Sequence, residues 1–131
     1  MSDPRDNSER FRRGRAALAG IMGEHQVARL DAAYGEIAPD MVELLVSFGF
    51  GDIYARQGLK PRDRQLATIA ALTALGTAAP QLRSHIKAGL ATGLTREEIV
   101  EVLMQMAVYA GFPAALNGLA AAKEVFAEAA K

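Results

Sequence analysis

Apolar positions along this chain fall into runs of helical length, and proline and glycine punctuate the runs. A first helix is expected from Glu9 to Met22, stopping near Gly23, and a short one from Gln26 to Tyr34. Pro39 suits a first helical position and opens DMVELLVSFGFGDIYAR, which is apolar on most faces and so expects burial on more than one side. Gly58 ends it. Pro61 starts RDRQLATIAALTALG, in which Leu66, Ile69, Ala70 and Thr73 form one stripe, and Gly76 closes it. Pro80 opens QLRSHIKAGLA, ended by Gly93. Thr95 and Glu98 form a T-x-x-E capping box ahead of an apolar run whose polar strip is Glu97, Glu101 and Gln105. Pro113 opens a last, alanine-rich helix. No stretch alternates with period two, so strands are not expected. The pattern predicts an all-α fold, a compact bundle of about six helices. Residues 1–8 read as a flexible tail and residues 9–131 as a single helical domain.

Several of these helices are apolar around most of their circumference, more than a 131-residue bundle can bury within itself. Large exposed apolar patches are rare on soluble monomers, so the surplus points to self-association.

Composition narrows the function classes. The chain is 50% apolar and carries 15 basic and 15 acidic residues, for a formal net charge of +0. A nucleic-acid partner usually needs a clustered basic surface, and none is expected here. Arg10, Arg12, Arg13 and Arg15 read as a solvated helix start. There is no cysteine, which excludes disulfides, a thiolate nucleophile and a dithiol redox centre. The longest apolar stretches are interrupted by Gly, Glu or Gln, so no membrane helix is expected. No apolar run follows the polar start, so no secretory leader is expected, and the cytoplasm is the expected location.

Few residues can carry chemistry. Of two histidines, His25 sits in an inter-helix turn and reads as an exposed loop residue. His85 shares a helix column with Gln81 and Gly89 and flanks an apolar stripe beside Leu82. It reads either as a hydrogen-bonded residue at a packing boundary or as a proton-transfer group. Arg56 follows a largely apolar segment and can hold a substrate carboxylate bidentately, or pair with a nearby acid. Asp52, Tyr54 and Tyr109 read as polar groups at packing edges. Glu97 and Glu98 fall in a helix first turn, where acids complement the dipole. No second histidine or acid stands three or four residues from either histidine, so no metal site is expected.

The segments GDIYARQGL, LRSHIKAGLATGLTREEIVEVL and VYAGFPAA, in that order and spacing, resemble the signature of the carboxymuconolactone decarboxylase family. The resemblance covers roughly residues 9–128. It implies an alkylhydroperoxidase-like fold and a homo-oligomer, a hexamer built as a trimer of dimers or a trimer. In the alkylhydroperoxidase branch, two cysteines would fall at Ala78 and Gln81, a glutamate near Gln65 and the histidine at His85. Without a thiolate, thiol peroxidase chemistry is excluded. The decarboxylase branch lacks the cysteines and keeps the histidine. It usually has Glu where this chain has Gln81, Trp at Tyr54 and Pro at Gln57.

The resemblance implies a cofactor-independent decarboxylase acting on a small carboxylated lactone or enolisable acid. Electrons released with CO2 pass through a conjugated C=C into the lactone carbonyl, so no cofactor is required. Arg56 would orient the carboxylate, and His85 would donate to the oxyanion or protonate carbon. Tyr54, Tyr109 and Gln81 would be further donors, and Asp52 would orient one of them. The alternatives are a non-catalytic small-molecule-binding or stress-response protein, and a lyase, isomerase or cyclase of a biosynthetic pathway.

Overall fold

Proline and glycine set the helix boundaries much as the pattern predicts. The computed structural model describes residues 2–131, and among them there is no strand. The helices are α1 (Glu9–Met22), α2 (Gln26–Tyr34), α3 (Pro39–Leu44), α4 (Pro61–Leu75), α5 (Ala79–Ala91), α6 (Arg96–Ala110) and α7 (Phe112–Ala129). Pro39 and Pro61 stand at first helical positions, where the missing N–H costs nothing. Gly111 has φ 93° and serves both the end of α6 and the start of α7, a reversal that a residue with a Cβ adopts only under strain. The chain is thus all-helical.

It divides into two compact units, one ending at Leu59 and one beginning at Lys60. In the first, α3 runs on into a π-helix, Leu45–Tyr54, which α1 crosses. Phe11, Leu18 and Ile21 of α1, Val27 of α2, Val42 of α3 and Val46 and Phe50 of the π-helix are buried. The crossing is close because two glycines meet there. A Cβ on Gly51 would stand 2.4 Å from the Arg10 carbonyl oxygen, inside van der Waals contact. Ahead of α1, a 3-10 turn at Pro4–Asn7 is held by Arg5, whose guanidinium binds both Asp3 and Asp31 and lies 4.7 Å from the Phe11 ring centroid.

The segment expected to be buried on more than one side is buried along one. Met41, Leu44, Leu45, Phe48 and Ile53 lie on the exposed side of the same helical run.

The second unit packs α4 to α7 around Ile69, Leu82, Ile86, Leu94, Ile99, Leu103, Ala121, Ala122 and Val125. Ile69, Ile86, Ile99 and Leu103 are fully buried, each contributing about 1.5–3 kcal/mol by leaving water. The alanines of α7 bring its backbone close to its neighbours, and Gly118 continues the trend. A Cβ there would meet Leu103 at 2.8 Å and Thr73 at 3.0 Å. The capping box is formed as predicted. Glu98 N–H donates to Thr95 Oγ1 at 3.0 Å, and Thr95 N–H donates to Glu98 Oε1 at 3.1 Å. Glu98 also receives Arg62 from the start of α4, so its carboxyl is held below the ordinary range by the Thr95 backbone and by Arg62.

Candidate functional site

On α5, Leu82, Ile86 and Gly89 form the buried face, and His85 stands at its edge, half-buried. On α4, the residues that face inward are Gln65, Ile69 and Thr73, one turn apart. Leu66 and Ala70, expected in that stripe, are only half-buried. The two helices bring His85 Nδ1 to 2.9 Å from Gln65 Oε1. Gln65 is 0% exposed, and its Nε2 has no hydrogen-bond partner among the described residues. A buried amide with an unpaired donor costs about 1–3 kcal/mol, so an apolar residue would serve the core better here. Such departures from packing logic concentrate at functional sites.

Burial holds His85 well below the ordinary imidazole range, at about 4, with no charged neighbour contributing. Gln65 is neutral and offers no compensation for an imidazolium. The pair is therefore uncharged at neutral pH, and a proton placed on the ring is about as acidic as that of a carboxylic acid.

Gln81, one turn before His85, is exposed. Tyr109, near the end of α6, is 77% exposed, as are most of Met104 and Val108 on α6 and of Phe112 and Leu116 on α7. In the first unit, Asp52 is engaged by α1. Arg10 Nη2 lies 2.6 Å and Arg13 Nη2 3.2 Å from its carboxyl oxygens, and the Arg10 hydrogen bond lowers its pKa. Tyr54 packs on Phe50 with ring centroids 4.8 Å apart, and Arg56 is exposed just past the π-helix. The structure thus joins His85 to Gln65, a residue outside the predicted site, and ties Asp52 to two arginines. Two sequence signals point to Gln65: its register with Ile69 and Thr73 on one helix face, and the resemblance that sets the peroxidase branch's glutamate near it.

His25 is exposed ahead of α2, as read from the sequence. No cluster of histidine, aspartate or glutamate able to hold a metal occurs among the described residues. No helix among them is long and apolar enough to cross a membrane. An open groove of about 370 Å³ runs along Lys87, Leu90, Ala91, Val125, Glu128 and Ala129, and contains none of the predicted site residues.

Known proteins resemble this chain along most of its length. It is 31% identical over 121 residues to the 4-carboxymuconolactone decarboxylase of Acinetobacter baylyi, covering 92% of this chain and 90% of that protein. It is 37% identical over 97 residues to an uncharacterized 15.0 kDa protein in the nqo9-nqo10 intergenic region of Paracoccus denitrificans, covering 73% and 72%. Residues 39–124, which include both Gln65 and His85, match the family model for the carboxymuconolactone decarboxylase family. With the histidine, the helical fold and the length of the match in agreement, the chain belongs to the carboxymuconolactone decarboxylase family.

Proposed function

We propose that this protein is a cofactor-independent decarboxylase acting on a small carboxylated lactone or enolisable acid. The observation that carries the reading is the half-buried, uncharged His85 held against the fully buried Gln65, in a chain that matches a 4-carboxymuconolactone decarboxylase over nearly its full length.

Loss of CO2 from such a substrate leaves an electron pair delocalised into the lactone carbonyl, and the reaction ends when a proton reaches carbon. His85 is the group that carries this proton. Neutral in the empty site, it takes up a proton from solvent on its free ring nitrogen as the anionic dienolate forms beside it and raises its proton affinity, then delivers that proton to carbon and ends neutral again. Arg56 orients the substrate carboxylate through two parallel N–H donors. Tyr54, Tyr109 and Gln81 are the candidate donors to the developing oxyanion. Asp52, already paired with Arg10 and Arg13, serves by fixing the end of the π-helix that precedes Arg56.

Self-association belongs to the same proposal. The exposed apolar residues Met104, Val108, Tyr109, Phe112 and Leu116, and Met41, Leu44, Leu45 and Phe48, are the surfaces that a hexamer or trimer would cover. Residues 9–131 then act as one domain, with the cytoplasm as the proposed location.

The test is CO2 release from carboxylated butenolides by the full-length protein. We expect turnover that falls by about a hundredfold to ten-thousandfold in His85→Gln, with the melting temperature little changed. Full turnover in a folded His85→Gln protein would remove His85 from the reaction. A wild-type chain that binds these lactones and never turns them over would make it a binding protein, a reading favoured by the neutral Gln65.

A further inference from the structure

The direction of proton flow at His85 is written into its contact with Gln65. A carbonyl oxygen accepts and never donates, so the ring nitrogen facing Gln65 Oε1 at 2.9 Å must carry the hydrogen. With Nδ1 protonated, a neutral ring has its lone pair on Nε2. The ring makes no other hydrogen bond among the described residues, so Nε2 is unspent. Gln65 is locked in the core of α4 and cannot swing away.

The charged groups on the elements packed against α5 are occupied elsewhere or do not bear on the ring. On α4 and α6, Arg62 is paired with Glu98 and lies 3.4 Å from Asp63. On α7, Glu124 lies 3.6 Å from Arg83 of α5 itself. Arg64 of α4, Arg96, Glu97 and Glu101 of α6, Lys123 and Glu128 of α7 and Lys87 of α5 add nothing to the shift at His85, which burial alone causes. Nothing nearby stabilises a resident imidazolium.

We propose that Gln65 is a positioning residue that fixes His85 as a neutral base through Nε2, and that this site also moves carbon-bound protons of enolisable lactones that have no carboxylate to lose. The proposal rests on the substrate class of the decarboxylase reading and adds a second activity to it. In the step, Nε2 removes the proton between the carbonyl and the C=C of a β,γ-unsaturated lactone. The C–H electron pair passes into the ring as a dienolate. The imidazolium then returns the proton to the γ-carbon, giving the α,β-unsaturated isomer. One C–H bond breaks, one forms, and no oxidant or reductant is consumed.

Two measurements test it on the full-length protein. The first is the tautomer of His85, read from nitrogen-15 shifts and long-range proton couplings, with exposed His25 as the internal reference. We expect Nδ1–H with a bare Nε2 at neutral pH. Gln65→Glu puts a carboxylate against Nδ1 and should leave the ring charged at neutral pH. A wild-type ring protonated on Nε2, or charged at neutral pH, overturns the proposal without any variant.

The second is incubation of α-angelica lactone in D2O, followed by proton NMR. Deuterium should enter the α and γ positions, and the rate should fall at least about a hundredfold in His85→Gln. Absence of protein-dependent exchange, or its survival in a folded His85→Gln protein, overturns it. Exchange without CO2 release from carboxylated lactones would sink the decarboxylase reading and leave this one standing. Release without exchange would do the reverse.

Discussion

Gly14 of α1 lies directly against Val46 of the π-helix: a Cβ on Gly14 would sit 1.9 Å from the Val46 carbonyl oxygen and 3.1 Å from Gly51 N. Both obstacles are backbone and cannot rotate away. Gly20, on the same helix, has nothing within 4 Å of where its Cβ would stand. Glycine inside a helix costs up to about 1 kcal/mol relative to alanine, so Gly20→Ala should stabilise by a few tenths to 1 kcal/mol. Gly14→Ala should do the opposite, losing about 2–4 kcal/mol as α1 is pushed off its partner. Chemical denaturation of the two variants gives the comparison. Equal effects at both positions would mean that the α1 crossing is looser than the structure describes.

The His85 ring gives stability a definite pH dependence. Its folded value of about 4 lies below the ordinary 6.5, so between those values the unfolded chain binds more protons than the folded one. The contribution is complete above about pH 6.5 and is lost as pH falls toward 4, amounting to about 3 kcal/mol at most. His85→Gln cannot titrate, so its stability should fall less steeply over that window, while carboxylates lower down act on both proteins alike. Superimposable stability–pH curves would show that His85 charges in the folded state without penalty.

At the start of α6, the Thr95 hydroxyl satisfies one of the orphan N–H groups of the first turn. Thr95→Ala should cost about 1 kcal/mol, and Thr95→Ser should recover most of it. If thermal unfolding finds alanine and serine equivalent, the hydroxyl has no part in holding that helix start.

Val108 and Tyr109 of α6 and Phe112 of α7 are 77%, 77% and 74% exposed. Light scattering of the wild type is expected to give a multiple of the 14.0 kDa chain mass. Val108→Lys combined with Phe112→Glu should lower that mass, and Glu101→Lys on the exposed polar strip of α6 should not. A 14.0 kDa wild-type species at micromolar concentration would refute the assembly.

Helix starts and stops were legible because they are local. Pro39, Pro61, Gly76 and the Thr95–Glu98 pair act within one or two turns of where they stand. The inward face of α4 was only nearly legible. Leu66 is the natural choice for the stripe because it is apolar, yet Gln65 is the residue fully buried. What makes that burial tolerable is a partner on another helix, twenty residues on, and no window of α4 alone contains it. Asp52 was read as a packing-edge acid or an aid to substrate. The arginines of α1 that claim it lie about forty positions away, in a stretch whose pattern alone reads as a solvated helix start. The π-helix left no trace in the apolar pattern, since its wider turn answers to the neighbour it crosses.

That wider turn carries a consequence for chain length. In a π-helix the carbonyl of one residue meets the N–H five places on, so Val46 and Gly51 come together where Gly14 presses against both. Over this stretch the helix holds one residue more than an α-helix needs to join the same two points. A chain lacking Phe48 or Gly49 could close the gap with ordinary four-residue steps and keep Gly51 beneath Gly14. Removing one residue here should therefore cost less stability than removing one from the middle of α4, a difference that chemical denaturation of the two variants would show.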